Sequence, residues 1–395
     1  MSIYIELGIK PVINACATLT RLGGSIMPPE VIAAMQDASH CFVDLEELQA
    51  RIGEKLAELT HNEAAYVSSG AAAGITLAVA ACITGMDRAA MDRLPDTTGM
   101  KNELIVFKSH RNGYDHAARM VGVRMVEIGS ATHTDPAELE AACSERTAAF
   151  IWFQGGMSGH GDFPLVQVIE ICNRRGVPVI VDAAAQLPPV ENLWTFTQQG
   201  AACAIFSGGK DLRGPQSSGL VVGRKWLIEA MRPNGNPNAN IGRPMKVGKE
   251  EMAGLLAAVK RYLALDHGAR RERDERAVAA WCETFNRLPG VRAQRSFPNE
   301  AAQPLPRCEV LLDAGASQHG ASQHGASQHG ASQHGASQHG AALNRDGLVQ
   351  ALRDGTPAIA VATSTDERGI WLNPMTLSDE ELGIVQARLV ELLLL

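Results

Sequence analysis

The sequence predicts an α/β protein with a large domain on a mostly parallel sheet, followed by a small α+β domain. Two observations carry this expectation. Between about residues 60 and 225, short β-rich runs alternate with helix-like stretches long enough to be crossovers, and several of the runs are continuously apolar, as strands covered on both faces are. Past about residue 266 the spacing changes, with shorter apolar runs separated by two helical patterns.

In chain order the large-domain strands are expected at Ala64 to Val67, Leu104 to Phe107, Arg124 to Ile128, Ala148 to Phe153, Pro178 to Val181, Ala202 to Phe206 and Gly219 to Val222. Lys249 to about Phe285 reads as helix, and its charged run at 270–276 reads as a solvated face. In the small domain Glu309 to Leu312, Ala358 to Ala362 and Ile370 to Leu372 read as strands. Asn344 to Arg353 and Asp379 to Leu394 read as helices, the second opening on Ser378 and Glu381 at capping-box spacing. The expected division is therefore 1–265 and 266–395. Residues 316–340 stand apart as five copies of Ala-Ser-Gln-His-Gly. Each copy would advance about 140° around a helix, so the histidines make no stripe and the glycines weaken any helix. The segment reads as an inserted low-complexity loop, with histidine capture of a divalent metal as the alternative. It is given no catalytic role, and no metal ligands are assigned.

With 395 residues, 36 Lys plus Arg against 43 Asp plus Glu, and a formal charge of −7, the chain is too long for a peptide-sized module and offers no general attraction to a polyanion. Nucleic acid is not an expected partner. The eight cysteines are dispersed without a C-x-x-C pair, which suits a reducing cytoplasm. Neither a leader pattern nor an apolar stretch of ~18 residues is evident, so no membrane association is expected.

Four strand ends carry the chemistry. The run Ala202 to Phe206 passes through Ser207-Gly208-Gly209 to Lys210. A lysine so placed can face a cleft, lose part of its hydration and act as an amine nucleophile, although a solvated loop lysine has the same local sequence. Val179 to Val181 runs into Asp182 and three alanines. The carboxylate can pair with a protonated pyridine nitrogen, and a small residue such as Ala184 lets a flat ring lie close; a turn or cap aspartate is the alternative. After Ala65 to Val67 come Ser68, Ser69, Gly70 and Ala71 at the start of an alanine-rich helix, where free N–H groups can hold a phosphate or simply be capped. After Leu104 to Phe107, His110 offers an imidazole that could stack on a ring or serve the core, with Arg111 beside it. All four lie at the carboxyl edge of the expected sheet, where open α/β folds bind ligands.

With these residues the chain resembles the fold-type I pyridoxal-phosphate enzymes of the aspartate aminotransferase-like class, and within them the selenocysteine-synthase-related group that includes ammonia-lyases of amino sugar acids. The resemblance runs from about residue 8 to 265. It rests on Val12-Ile13-Asn14-Ala15, Leu22-Gly23-Gly24-Ser25, Val181 to Ala185, Ser207 to Lys210 with Arg213 to Gly219, and Ile241 to Lys249. It implies pyridoxal phosphate on Lys210, with Asp182 at the pyridine nitrogen, Ser69, Gly70, Ala71 and Ser207 around the phosphate, and His110 over the ring. Arg243 and Lys246 match a loop near the active site, possibly a neighbouring subunit's, which implies a homodimer or a higher multiple. Arg111, Arg213 and Arg368 are further candidates for binding an acidic substrate. The implied activity is loss of ammonia, with β-hydroxyl elimination, from a small polar amino acid or an amino sugar acid such as D-glucosaminate or its 6-phosphate. Lys210 would be the general base. Racemisation, transamination and a selenocysteine-synthase-like transfer use the same cofactor residues and stay open. The ASQHG repeat and the want of a clear carboxylate-binding arginine in the small domain depart from the pattern. The first core motif comes within about a dozen residues of the start, so the tRNA-binding role of selenocysteine synthases is not expected.

Overall fold

The computed structural model describes residues 2–156, 161–313 and 344–394; the ASQHG repeat lies outside them. Among the described residues the strands, in chain order, are β1 (Val12–Asn14), β2 (Ala64–Ser68), β3 (Glu103–Phe107), β4 (Arg124–Ile128), β5 (Thr147–Phe153), β6 (Val179–Asp182), β7 (Cys203–Ser207), β8 (Gly219–Gly223), β9 (Val291–Ser296), β10 (Arg307–Leu312), β11 (Ala358–Ala360), β12 (Ala362–Thr363) and β13 (Gly369–Leu372). They fall into two compact units. One comprises Thr18–His267 with Glu300–Pro304, and the other Met1–Ala17, Gly268–Asn299 and Leu305–Leu395.

The larger unit holds a seven-stranded sheet of order β2-β8-β7-β6-β5-β3-β4. β8 is antiparallel to both β2 and β7, and the other neighbouring pairs are parallel. Every strand except β8 therefore points the same way, and the carboxyl ends of β2, β3, β6 and β7 share one edge. Alternation along the strands explains why they read as continuous apolar runs. Phe107, Val181, Phe206 and Val222 face one buried cluster with Leu56, Leu255 and Tyr262. Val106, Ile180, Ile205 and Val221 face the other, with Ile75, Leu77 and Met231. Both faces are covered by helices, as a mainly parallel sheet requires. The helix Ala71–Thr84 lies close on the second face because Gly74 has no side chain: a Cβ there would be 2.9 Å from Ile205 Cγ2 and from Val221 Cγ2.

In the smaller unit an antiparallel sheet of order β12-β13-β10-β9 stands beside a parallel pair, β1 with β11. Its core contains Trp281, Phe285, Val310, Leu352, Ile370 and Leu389. The helix Asp379–Leu393 opens as its Ser-x-x-Glu spacing predicts: the Glu381 N–H donates to Ser378 Oγ at 3.2 Å and the Ser378 N–H to Glu381 Oε2 at 2.8 Å.

Three local readings change. Lys249 to Phe285 is two helices, Lys249–Leu263 and His267–Phe285. The run Ala358 to Ala362 divides, because β11 pairs with β1 while β12 pairs with β13. The charged run at 270–276 is not all solvated: Asp274 is buried, and Arg273 donates to Asp379 Oδ1 at 2.8 Å and to the Leu377 carbonyl at 2.6 Å.

Candidate active site

At the end of β2, Ser68 Oγ donates to the Gly70 carbonyl at 2.8 Å and lies 3.3 Å from the Gly219 carbonyl. This turns the chain into the helix Ala71–Thr84. Gly70 is its N-cap, at φ +110°, with no side chain capping the first turn. A Cβ on Gly70 would meet nothing within 4 Å. Ser69, Gly70 and Ala71 are half-buried, so the positive end of a 14-residue helix opens onto accessible space.

Three sheet positions away, Asp182 ends β6. Its Oδ1 accepts from the Ala184 N–H at 3.0 Å, and the Ala184 carbonyl accepts from the Ser207 N–H at 3.3 Å. Ala184 thus ties the aspartate to the end of β7, where Ser207-Gly208-Gly209 leads to Lys210. Burial raises the Asp182 carboxyl above its ordinary range, while the Ala184 N–H and the charge on Lys210 pull it down. Burial lowers the Lys210 ammonium and Asp182 raises it. The two groups are therefore each other's electrostatic neighbours, in surroundings that penalise both charges.

His110 ends a single turn, Lys108–His110, after β3 and is 1% exposed. Its Nε2 is 3.3 Å from Asp162 Oδ2. Its ring meets Trp152 edge-on, with centroids 4.5 Å apart, and Phe107 at 5.3 Å. Ser109 Oγ also bonds Asp162, and Thr134 Oγ1 donates to its other oxygen at 2.7 Å. Burial takes the imidazole down to about 4 against the opposing pull of Asp162. His110 is thus a member of a closed polar cluster and shows no open ring face. Asp162 was not singled out from the sequence, where a lone Gly-Asp pair after a loop carries no signal.

The other cations are placed differently. Arg111 is engaged by Asp115, at 2.5 Å, and by Glu127. Arg213 sits at φ +55°, with its N–H donating to the Lys210 carbonyl at 2.9 Å. Arg243 is exposed and donates to Asn236 Oδ1 at 3.0 Å, and Lys246 is exposed. Arg368 belongs to the smaller unit and is paired with Asp366 at 2.8 Å. The fold therefore joins Asp182, Ala184 and Ser207 by hydrogen bonds, makes Lys210 the electrostatic neighbour of Asp182, and puts the Ser69–Ala71 turn on the same sheet edge. It commits Arg111 and Arg368 to ion pairs with nearby carboxylates. A cavity of about 510 Å³ in the larger unit, lined by Gln49, Tyr66, Trp226 and Arg232 among others, includes none of these residues.

Residues 12–273 match the L-seryl-tRNA selenium transferase (SelA) family. The chain belongs to this family. Among SelA-related proteins, D-glucosaminate-6-phosphate ammonia lyase of Salmonella typhimurium is 33% identical over 402 residues, covering 99% of this chain and 98% of that one. A 5'-C-glycyluridine monooxygenase-decarboxylase from a Streptomyces species is 36% identical over 321 residues, covering 80% of this chain and 78% of that one. A solved structure of D-glucosaminate-6-phosphate ammonia-lyase superimposes with a TM-score of 0.82 at 31% identity, over 100% of this chain and 98% of that one. The architecture is that of the fold-type I enzymes, and the SelA family and this fold are pyridoxal-phosphate-dependent.

Proposed function

We propose that this chain is a pyridoxal-phosphate-dependent carbon–nitrogen lyase that releases ammonia from an amino sugar acid, D-glucosaminate 6-phosphate or a near analogue. The observation that carries this reading is the end-to-end match to an ammonia lyase in both sequence and structure. The residues suit the cofactor. The uncapped helix start at Gly70 leaves room for a phosphate, and Asp182 is a carboxylate whose burial calls for a cationic partner.

The cofactor, when bound, supplies a protonated pyridine ring that draws electrons from the substrate's Cα. Asp182 would accept the pyridine N–H and keep that nitrogen protonated, with Ala184 leaving space for the ring. The first-turn N–H groups at Ser69, Gly70 and Ala71, with the Ser207 hydroxyl, would hold the phosphate. Lys210 Nζ, its ammonium form disfavoured by burial, would carry the cofactor at rest and take the Cα proton once substrate is in place. His110 enters as the stacking residue that the family resemblance implies, on the condition that binding uncovers its ring. Arg213, Arg243 and Lys246 are the candidates for the substrate's carboxylate and phosphate.

Among the described residues no helix is long and apolar enough to cross a membrane. A cytoplasmic homodimer or higher multiple fits the reading, and the acidic net charge of −7 weighs against a tRNA substrate.

The test is incubation with D-glucosaminate 6-phosphate without any keto-acid acceptor. Equal amounts of ammonia and a 2-keto product support the lyase. Turnover that begins only when a keto acid is added, with no ammonia released, would make it an aminotransferase, and a change of Cα configuration alone a racemase. The 36% identity to a monooxygenase-decarboxylase supports a second reading, which oxygen uptake with carbon dioxide release would favour.

A further inference from the structure

We infer that the Gly24–Ser25 turn is the positioning element of Lys210, with the Ser25 hydroxyl holding the peptide plane from which the lysine departs. The inference rests on the reading of Lys210 as the cofactor lysine. It concerns a motif, Leu22 to Ser25, to which the proposed chemistry gives no task.

Lys210 follows two glycines, and two glycines in a row leave a backbone free to wander unless it is pinned. Most of the pins are internal to the loop. The Gly208 N–H donates to the Ser218 carbonyl at 2.8 Å, the Gly214 N–H to the Gly208 carbonyl at 2.8 Å, and the Arg213 N–H to the Lys210 carbonyl at 2.9 Å. The carbonyl between them, Gly209 O, is held from far away in sequence by Ser25 Oγ, which donates to it at 2.9 Å. That bond fixes the Gly209–Lys210 peptide plane, and with it the direction of the lysine's Cα–Cβ bond.

The approach needs glycine at 24. Gly24 has φ +74°, and a Cβ there would lie 2.4 Å from Gly209 O and 2.1 Å from Gln216 Oε1. Gln216 closes the clasp from the other side, its Nε2 donating to the Thr20 carbonyl at 3.3 Å. Gly209 is equally constrained, since a Cβ on it would be 2.6 Å from Gln216 Cα. The segment Thr20 to Ser25 therefore meets the lysine loop at three points, and Ser25 makes the contact nearest to the lysine. Ser25 touches no reacting atom in this account. It acts through Lys210.

The experiment compares wild type, Ser25→Ala and Ser25→Thr as full-length proteins. Competitive acetylation of the cofactor-free protein across pH, read by mass spectrometry, follows Lys210, with the exposed Lys101 and Lys225 as labelling controls. In wild type Lys210 should titrate below the ordinary lysine range, as its burial dictates. In Ser25→Ala the unpinned amine gains solvent and should titrate closer to that range. The rate at which Lys210 captures pyridoxal phosphate, trapped with borohydride, should fall roughly 10- to 100-fold, as ~1 Å misplacements do. Ser25→Thr, which keeps the hydroxyl, should restore both. If Ser25→Ala does not fold, Ser25→Cys, with its weaker donor, should fall between wild type and that loss. Substituted proteins that label and capture like wild type would overturn the inference while leaving the cofactor lysine intact. Trapping of wild type on another lysine would instead remove the reading beneath it.

Discussion

Gly219 opens β8 directly against the turn proposed to hold the phosphate, which makes Gly219→Ala a sharp probe of that turn. A Cβ there would be 2.5 Å from the Gly70 carbonyl carbon, 2.7 Å from its oxygen and 2.7 Å from Ser68 Oγ. Two of these atoms are backbone, so no side chain can swing aside. To reach ordinary contact near 3.4 Å the Gly70 peptide must retreat by about 0.9 Å. Overpacking of this kind costs about 1–3 kcal/mol, which for a unit of this size lowers the melting temperature by roughly 2–12 °C. The displaced peptide also belongs to the first turn of Ala71–Thr84. Losing one charge-assisted hydrogen bond to the phosphate, ~1.5–3 kcal/mol, should weaken pyridoxal phosphate binding about 10- to 150-fold. Fluorescence titration of wild type and variant, each shown to be folded by circular dichroism, measures this. The control is Gly383→Ala, in Asp379–Leu393, where a Cβ meets nothing within 4 Å; it should add ~0.4–1 kcal/mol of stability and leave binding unchanged. A folded Gly219→Ala that binds the cofactor as wild type does would refute the placement of the phosphate at this turn.

Other expectations follow from the same geometry. Lys210→Ala should keep the fold and lose the borohydride-reducible absorbance with nearly all ammonia release; retained absorbance that reduces onto another lysine would contradict the assignment. His110, lowered to about 4 by burial, binds a proton less well in the folded state than in the unfolded chain. Its stabilising effect is therefore full above about pH 6.5 and is lost as pH falls through 4, a change of roughly 3 kcal/mol. Urea unfolding at pH 7 and pH 4.5 should show a smaller acid loss in His110→Gln than in wild type, and equal losses would mean the imidazole is not the titrating group. Deleting residues 316–340 should alter neither the cofactor spectrum nor turnover by more than a small factor, whereas a large loss in a steady-state assay would give that segment a functional part.

The large unit was legible because its strands are buried on both faces. Val179 to Val181 and Ala202 to Phe206 carry no polar face, so their apolar runs mark strands within a residue or two of β6 and β7. The carboxyl-edge clustering of Ser69, Asp182 and Lys210 followed once those strands were taken as parallel, since parallel strands present their ends together. What stayed hidden depends on partners distant in sequence. β1 is three residues long and is a strand only because Ala358–Ala360 lies beside it. β9 reads Val-Arg-Ala-Gln-Arg-Ser, too polar to stand out, and is a strand through its ladder to β10. Asp162 and Ser25 act through residues they meet only in the fold, His110 and Gly209. Arg111 shows the converse limit: the sequence offers its charge to a ligand, and the fold gives that charge to Asp115 and Glu127.

Reduction of the pyridoxal-phosphate-loaded protein with borohydride, followed by proteolysis and mass mapping, tests the central claim most directly. The account predicts one reduced phosphopyridoxyl group per chain, on the peptide containing Lys210, and none on that peptide in Lys210→Ala. A label on any other lysine, or no label from a folded protein saturated with pyridoxal phosphate, would contradict it.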